Sequence, residues 1–510
     1  MLQRLGRHVG ISVEYSDRTA FGSPVTTQPE RSMRRIYEPI MSYVEEHGEA
    51  NLIGAGPGML ADVVAGRRFR EIAEPTTEGS WTIRDEVLFP AVSDCFPHRL
   101  LLANSDRMRA LSQPVPMPTW PDVHRLIVQL TTTGVDVDRS AGAVARLLAA
   151  MDREGLLEPV SEPAADLDHA HVTFLGHSTA VVRSATAAVI VDPWVRPACG
   201  HYPADYQPLQ LRDFGRIDAV VLTHSHPDHF DTGTLLQLPC DTRIIVPKLE
   251  RETFLSVRMY ERLHELGFDN VTELAWWDSV QVKDIEVTAL PFHGEQPTDG
   301  SQLHPDIRNA GNTYFVRTPR CSAAFLADSG RDAGGDVRQV AARARRDLGS
   351  PDYLFVGYRG WLMYPVQLLT SSVGRYLPFV PPESWGVRQR SMTTADEAVD
   401  IAEIWKAPHL VPYADGGAPW YWQMGLGPRL DEAASENPVF DPFPERVIGA
   451  AATRTKTGSG IHRSAVNVLL MRPGDSIVSG GPQPRIERMQ DFAWPYGEAT
   501  AAVADAAYLG

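Results

Sequence analysis

From about residue 171 onward the chain alternates short apolar runs with polar turns: HVTFLG (171–176), AAVIVDPW (187–194), IDAVVLTH (217–224), TRIIVP (242–247), IEVTALPFH (285–293), SAAFLADSG (322–330), DYLFVGY (352–358) and HLVPYADGG (409–417). Runs this short, rich in β-branched and aromatic residues and bounded by Gly, Pro or Asp, predict buried strands. Helical spacing appears between several of them, as in ETFLSVRMYERLHELG and TADEAVDIAEIWK. Strands and helices interleaved in this way predict an α/β protein of layered sheets flanked by helices. In five of the segments an Asp, Glu or His stands just past the apolar run. Strand ends are where a sheet presents ligands.

Residues 1 to about 165 read differently, mixing short apolar runs with helical periodicity and showing no catalytic cluster. Val144, Leu147, Leu148 and Met151 follow the spacing of an amphipathic helix that Gly155 ends. The acidic, Ala/Pro-rich SEPAADLDHA (161–170) reads as a linker. The expected division is a smaller α+β N-terminal domain over residues 1–165 and a catalytic domain over 166–510. GAGPG at 54–58 invites a nucleotide-binding reading, but Pro57 interrupts the loop and no acidic residue follows in a clear second strand.

A chain of 510 residues with a formal net charge of −16 repels nucleic acid and anionic membrane, leaving small molecules and proteins as partners. Cys95, Cys199, Cys240 and Cys321 form no CxxC pair, so neither a disulfide framework nor a cysteine zinc site is indicated. The first residues lack the apolar stretch of a signal peptide and no later run is long enough to span a membrane. A cytoplasmic location is expected.

The chemistry concentrates in THSHPDHFD. His224 and His226 lie two apart, so on extended backbone both imidazoles point the same way and can reach one ion. Pro227 then turns the chain and aims Asp228 and His229 at a neighbouring point. A pair of ions could be held if other strands add donors. Three histidines within six residues, in a chain with sixteen, make an ordinary surface loop a poor reading. The motif leaves zinc and iron open.

HxHxDH after a strand, with LGHST at 175–179 and VDPW at 191–194, resembles the metallo-β-lactamase superfamily over about residues 170–450. The resemblance implies an αββα sandwich holding one or two metals at the sheet edges. A later strand-end histidine, a bridging aspartate and a final histidine usually complete such a site. Asp328 matches the bridging aspartate. Where the final histidine should stand the chain reads Tyr413-Ala414-Asp415-Gly416, and His409 lies too early and is expected to be structural. FHGEQPT, ADSG and YADGGAPWYW resemble a narrower group, the diiron β-hydroxylases associated with nonribosomal peptide synthetases, in which a glutamate replaces the usual histidine ligand. Glu295 matches that glutamate.

The resemblance therefore implies His224, His226, Glu295 and Asp328 around one ion and Asp228, His229 and the shared Asp328 around the other, with Glu295 and Asp328 as the catalytic carboxylates. His293 and Asp415 are the alternative donors. Three carboxylates against three imidazoles make a hard, anionic set that favours two irons, which cycle redox states as zinc cannot. The implied activity is O2-dependent β-hydroxylation of an aminoacyl group, tethered as a thioester to a carrier protein of a nonribosomal peptide synthetase. With no flavin or nicotinamide motif, an external electron donor is required. The N-terminal domain would serve dimerisation, as a homodimer, or recognition of the synthetase. Trp361, Tyr364, Trp420, Tyr421 and Trp422 follow motif strands, each readily a loop anchor, and together able to wall a pocket for an aromatic amino acid. The rival readings are a two-zinc hydrolase of lactonase or phosphodiesterase type using His293, and a non-catalytic binding protein.

Overall fold

The computed structural model describes residues 2–15, 51–77, 81–89, 97–104, 111–137, 142–160, 167–195, 205–253, 255–300, 306–360, 387–414, 444–457, 466–479 and 483–492, with scattered positions between 36 and 47 and between 304 and 384. All eight apolar runs form strands, and they divide between two sheets. The first sheet has eight strands, in spatial order Val271–Leu274, Arg243–Pro247, Ala219–Val221, Ala188–Val191, Thr179–Arg183, Val172–Gly176, Asp475–Ser479 and Arg485–Arg488. The four strands from Ala188–Val191 to Val271–Leu274 run parallel, and the others pair antiparallel. The second sheet has seven, in the order Ser279–Val282, Ile285–Pro291, Asn312–Arg317, Ser322–Phe325, Tyr353–Val356, His409–Pro412 and Asn467–Val468.

Alternation within the second sheet separates two cores. Val287, Ala289, Tyr314, Val316, Phe325, Phe355 and Val411 turn to one face and belong to the apolar core that also holds Phe174, Val181, Ile190 and Val220 of the first sheet. Their neighbours Leu290, Phe315, Ala324, Leu354 and Leu410 turn outward beneath the helices Val337–Asp347 and Ala395–Trp405. Period-two side-chain alternation lets one sheet face two apolar layers. Helix Ala395–Trp405 starts where Thr394 and Glu397 form a capping box. This is the layered α/β sandwich expected of the sequence, extended by the C-terminal strands Asp475–Ser479 and Arg485–Arg488.

Before the sandwich, Val9–Tyr15 pairs with Pro97–Asn104, and Leu2–Leu5 pairs with Val135–Asp136 and Leu157–Pro159. The helix expected from Val144 to Met151 spans Gly142–Arg153, and Gly155 takes the left-handed φ of 67° that stops it. Val13, Leu100, Trp120 and Ile127 belong to the same apolar core as the first sheet. The approach is close: a Cβ on Gly233 would lie 1.8 Å from the Ile11 carbonyl oxygen. A separate cluster joins Ile40, Leu60, Phe69 and Leu88 to Leu255 and Ile307 of the sandwich loops. GAGPG lies inside the helix Leu52–Ala65 and forms no phosphate-binding loop. Residues 161–166 of the expected linker fall outside the described residues. Among the described residues no helix is long and apolar enough to cross a membrane.

Candidate metal centre

Strand ends of both sheets converge on one buried cluster. Asp192 follows Ala188–Val191, the THSHPDHFD loop follows Ala219–Val221, Glu295 follows Ile285–Pro291, and Asp328 follows Ser322–Phe325. In open sheets these carboxyl ends form the crevice where ligands bind. His177 arrives differently, in the turn between the antiparallel strands Val172–Gly176 and Thr179–Arg183.

The donor atoms form two groups. His224, His226, Glu295 and Asp328, all buried, lie within 4.8 Å of one another, as do His177, Asp228 and His229. In the first, Glu295 Oε2 is 3.1 Å from His226 Nδ1 and 3.3 Å from His224 Nε2. In the second, Asp228 Oδ2 is 3.1 Å from His177 Nε2 and 4.0 Å from His229 Nε2. Asp328 Oδ2 links them, 3.2 Å from His229 Nε2 and 4.0 Å from His224 Nε2. At 27%, the Asp228 side chain is the most exposed of the seven donors.

Residues around the cluster fix its orientation. Asp192 accepts from His229 Nδ1 at 2.8 Å, from Thr223 N at 2.7 Å and from Thr223 Oγ1 at 2.6 Å. Because Nδ1 is held in this way, Nε2 is the nitrogen His229 offers inward. Trp194 of VDPW meets the His177 ring edge-on at 5.1 Å, and Phe292 stacks on His224 at 5.0 Å. Asn309 Nδ2 donates to Glu295 Oε2 at 3.0 Å. His177, Asp192, Glu295 and Ala327, the residue before Asp328, have φ between 40° and 51°. Such left-handed backbone costs roughly 1–3 kcal/mol per non-glycine residue and persists where its surroundings over-determine it. Here Tyr413 Oη accepts from Ala327 N at 2.8 Å, and Ala414 N donates to the His177 carbonyl at 2.9 Å.

All six expected donors, His224, His226, Asp228, His229, Glu295 and Asp328, thus meet in one place. His293 stays out of both groups: its Nδ1 pairs with Asp332 Oδ1 at 3.3 Å, and its ring lies against Gly335, where a Cβ would come within 2.4 Å. Asp415, Trp361, Trp420, Tyr421 and Trp422 lie outside the described residues. Tyr364 packs half-buried beside the Ile40–Leu60 cluster. His409 is buried at the start of its strand and stacks on Tyr353 at 5.4 Å, as a structural histidine should. Sequence reasoning misses His177, Asp192, Thr223 and Asn309. The available signal was LGHST and VDPW, whose His and Asp stand at strand ends.

Electrostatics match a place built for cations. Burial opposes ionisation of Glu295, but the His226 and His224 imidazoles outweigh it and hold its carboxyl far below the usual range. Asp228 is likewise held well down against burial, by His229 and His177. Burial should neutralise His229, yet Asp328, Asp228 and Asp192 raise its pKa well above the ordinary value, and Glu295 raises that of His226. His224 is lowered, by burial and by His229. Protons are therefore held where positive charge is wanted. Asp328 Oδ1 is buried and has no hydrogen-bond partner among the described residues. An acceptor left open in this way among four imidazoles and two more carboxylates fits a bound metal ion.

Residues 188–412 match the beta-lactamase superfamily domain. The chain is 26% identical over 317 residues to the 4-amino-L-phenylalanyl-[CmlP-peptidyl-carrier-protein] 3-hydroxylase of Streptomyces venezuelae, covering 60% of this chain and 54% of that protein. It is 27% identical over 231 residues to the mitochondrial N-acyl-phosphatidylethanolamine-hydrolyzing phospholipase D of Saccharomyces cerevisiae, covering 40% of this chain and 45% of that protein. The chain thus spans about half the length of each of these relatives. The crystal structure of CmlA, a diiron beta-hydroxylase from Streptomyces venezuelae, superposes with a TM-score of 0.59 at 16% identity, over 96% of this chain and 100% of that one. The likeness extends across the N-terminal region as well as the sandwich. Residues 188–412 thus carry the match to the beta-lactamase superfamily domain, the fold is that of the CmlA crystal structure, and the chain resembles the diiron β-hydroxylases.

Proposed function

We propose that this protein is a dinuclear non-haem iron monooxygenase that hydroxylates the β-carbon of an aminoacyl thioester carried by a nonribosomal peptide synthetase. The observation that carries the reading is Glu295, a carboxylate set between His224 and His226. His224, His226, Glu295 and Asp328 would hold one iron, and His177, Asp228 and His229, with Asp328 shared, the other. His177 brings the set to four imidazoles and three carboxylates, the same ligand charge as the six-donor reading with a smaller share of oxygen donors. The first ion still has two histidines and two carboxylates, and hard oxygen donors of this kind suit iron. When bound, the irons supply the dioxygen activation that no side chain can supply.

The chain's own residues bind, orient and exclude. Asp192 keeps His229 in the tautomer that presents Nε2 inward. Phe292, Trp194 and the buried sheet ends keep bulk water from the back of the cluster, so a substrate approaches on the Asp228 side. An external electron donor is part of the proposal. The N-terminal region, residues 1–165, would serve dimerisation, giving a homodimer, or recognition of the synthetase, in a cytoplasmic setting.

The likeness to a phospholipase D keeps a two-zinc hydrolase as the second reading. Metal analysis of protein from iron-supplemented cells separates the two. About two irons per chain, a ferric near-ultraviolet band and hydroxylation of a carrier-bound aromatic aminoacyl probe are expected. Two zincs with ester or phosphodiester hydrolysis would refute the oxygenase.

A further inference from the structure

We propose that Asn309 is a positioning residue of the metal centre, its buried side-chain amide deciding which oxygen of Glu295 faces His224 and His226. The inference rests on the metal-centre reading, though not on which metal is native. Asn309 is fully buried, on the loop that enters the strand Asn312–Arg317. Its Nδ2 donates to Glu295 Oε2 at 3.0 Å, the same oxygen that lies 3.1 Å from His226 Nδ1 and 3.3 Å from His224 Nε2. That nitrogen is also 3.5 Å from Nε2 of His226, whose Nδ1 is the ring atom beside Glu295. One amide therefore touches both the carboxylate and an imidazole of the same donor group.

Glu295 requires such a hold. It follows Gly294 in a loop and has a left-handed φ of 51°, and its two carboxylate oxygens are chemically equal until something distinguishes them. A donor on Oε2 leaves that oxygen a second lone pair for an ion and prevents rotation that would present Oε1 instead. Asn309 is itself fastened. Its N–H donates to Gln296 Oε1 at 3.1 Å, its carbonyl accepts from Gln296 Nε2 at 3.1 Å, and its Oδ1 accepts from Ser256 Oγ at 3.3 Å. Next to Ser256, Val257 N donates to Oγ of Ser225, the residue between His224 and His226, at 3.0 Å. On the other side Ile307 is buried in the cluster with Ile40, Leu60 and Phe69. The loop carrying Asn309 is thus clamped between the histidine motif and the N-terminal region.

Cobalt(II) tests this, because its visible spectrum reports ligand geometry whether the native metal is iron or zinc. Metal-depleted wild type, Asn309→Leu, Asn309→Ser, Glu295→Gln and Asn309→Leu/Glu295→Gln are titrated, with thermal melts alongside. Wild type is expected to take two equivalents. Asn309→Leu, close in shape but with no donor, should weaken one of them by about 10–100-fold and change its spectrum, leaving the other equivalent as it was. Asn309→Ser should do the same, and Asn309→Leu should add less than about twofold in the Glu295→Gln background. Unchanged variants, equal weakening of both equivalents, or an undiminished effect in the Glu295→Gln background would overturn the inference. Wild type that takes no cobalt would instead overturn the metal-centre reading.

Discussion

Asp192→Asn replaces one oxygen by an NH2 group at a residue whose side chain and whose partner His229 are both fully buried. Asparagine tolerates the left-handed φ of 40° at this position, so the backbone is not disturbed. Its Oδ1 can keep the bond from Thr223 N, now 2.7 Å, and the Thr223 hydroxyl, now 2.6 Å from Oδ2, can reverse to accept. His229 Nδ1, 2.8 Å from the same oxygen, has no such freedom. Faced with an N–H it must shed its own hydrogen, and the neutral ring then carries it on Nε2, the atom needed for a metal. The loss is that of one charge-assisted hydrogen bond, about 1.5–3 kcal/mol. At about 1.4 kcal/mol per decade this is a weakening of roughly 10–150-fold, in line with the usual cost of losing a partner behind a metal-bound histidine. Chelator competition against the metal-loaded protein measures it, with a thermal melt to show that the fold persists. Affinity within about twofold of wild type for both equivalents, well below that tenfold minimum, would mean that Asp192 does not set the tautomer.

Glu295→Ala should cut metal loading far more than His293→Ala, because His293 is engaged with Asp332 and lies outside both donor groups; inductively coupled plasma analysis of the two purified proteins decides, and the reverse order would restore a histidine-based hydrolase site. Metal uptake by the depleted protein should strengthen as pH rises above about 6.5, because His229 and His226, raised by neighbouring carboxylates, must lose protons to bind; uptake that is flat with pH contradicts this. The same raised histidines stabilise the metal-free fold fully below about pH 6.5, and that contribution disappears as pH climbs through their folded-state values, so its melting temperature should fall on the alkaline side. Glu295 and Asp228, held low, contribute above about pH 4 and lose their contribution only in stronger acid. Tyr413→Phe leaves the buried Ala327 N–H without its acceptor and should cost about 1–3 kcal/mol in denaturant unfolding, with weaker metal binding through Asp328; an unchanged midpoint and affinity would show that the hydroxyl does not hold that turn.

His224, His226, Asp228 and His229 were legible because they are local: a strand, a proline and six residues bring them together whatever the rest of the chain does. Asp328 and Glu295 were legible by resemblance and by their place after apolar runs. His177 was not. It stands 47 residues before His224, and only the pairing of Thr179–Arg183 with Ala188–Val191 brings its turn beside the histidine motif. Asn309 was invisible for a similar reason, since an asparagine in a loop has no periodicity to betray it.

The sequence by itself determined the layered α/β architecture, because alternating buried runs leave few other ways to satisfy backbone and apolar side chains at once. It also pointed to a metal site, through a motif that needs no tertiary context to aim two imidazoles together. Tertiary structure alone decided the composition of the centre. It added His177, turned His293 toward Asp332 and placed Tyr413 behind Ala327. Those outcomes depend on which strand ends meet across two sheets, and strand register over hundreds of residues is set by the packing of the whole core.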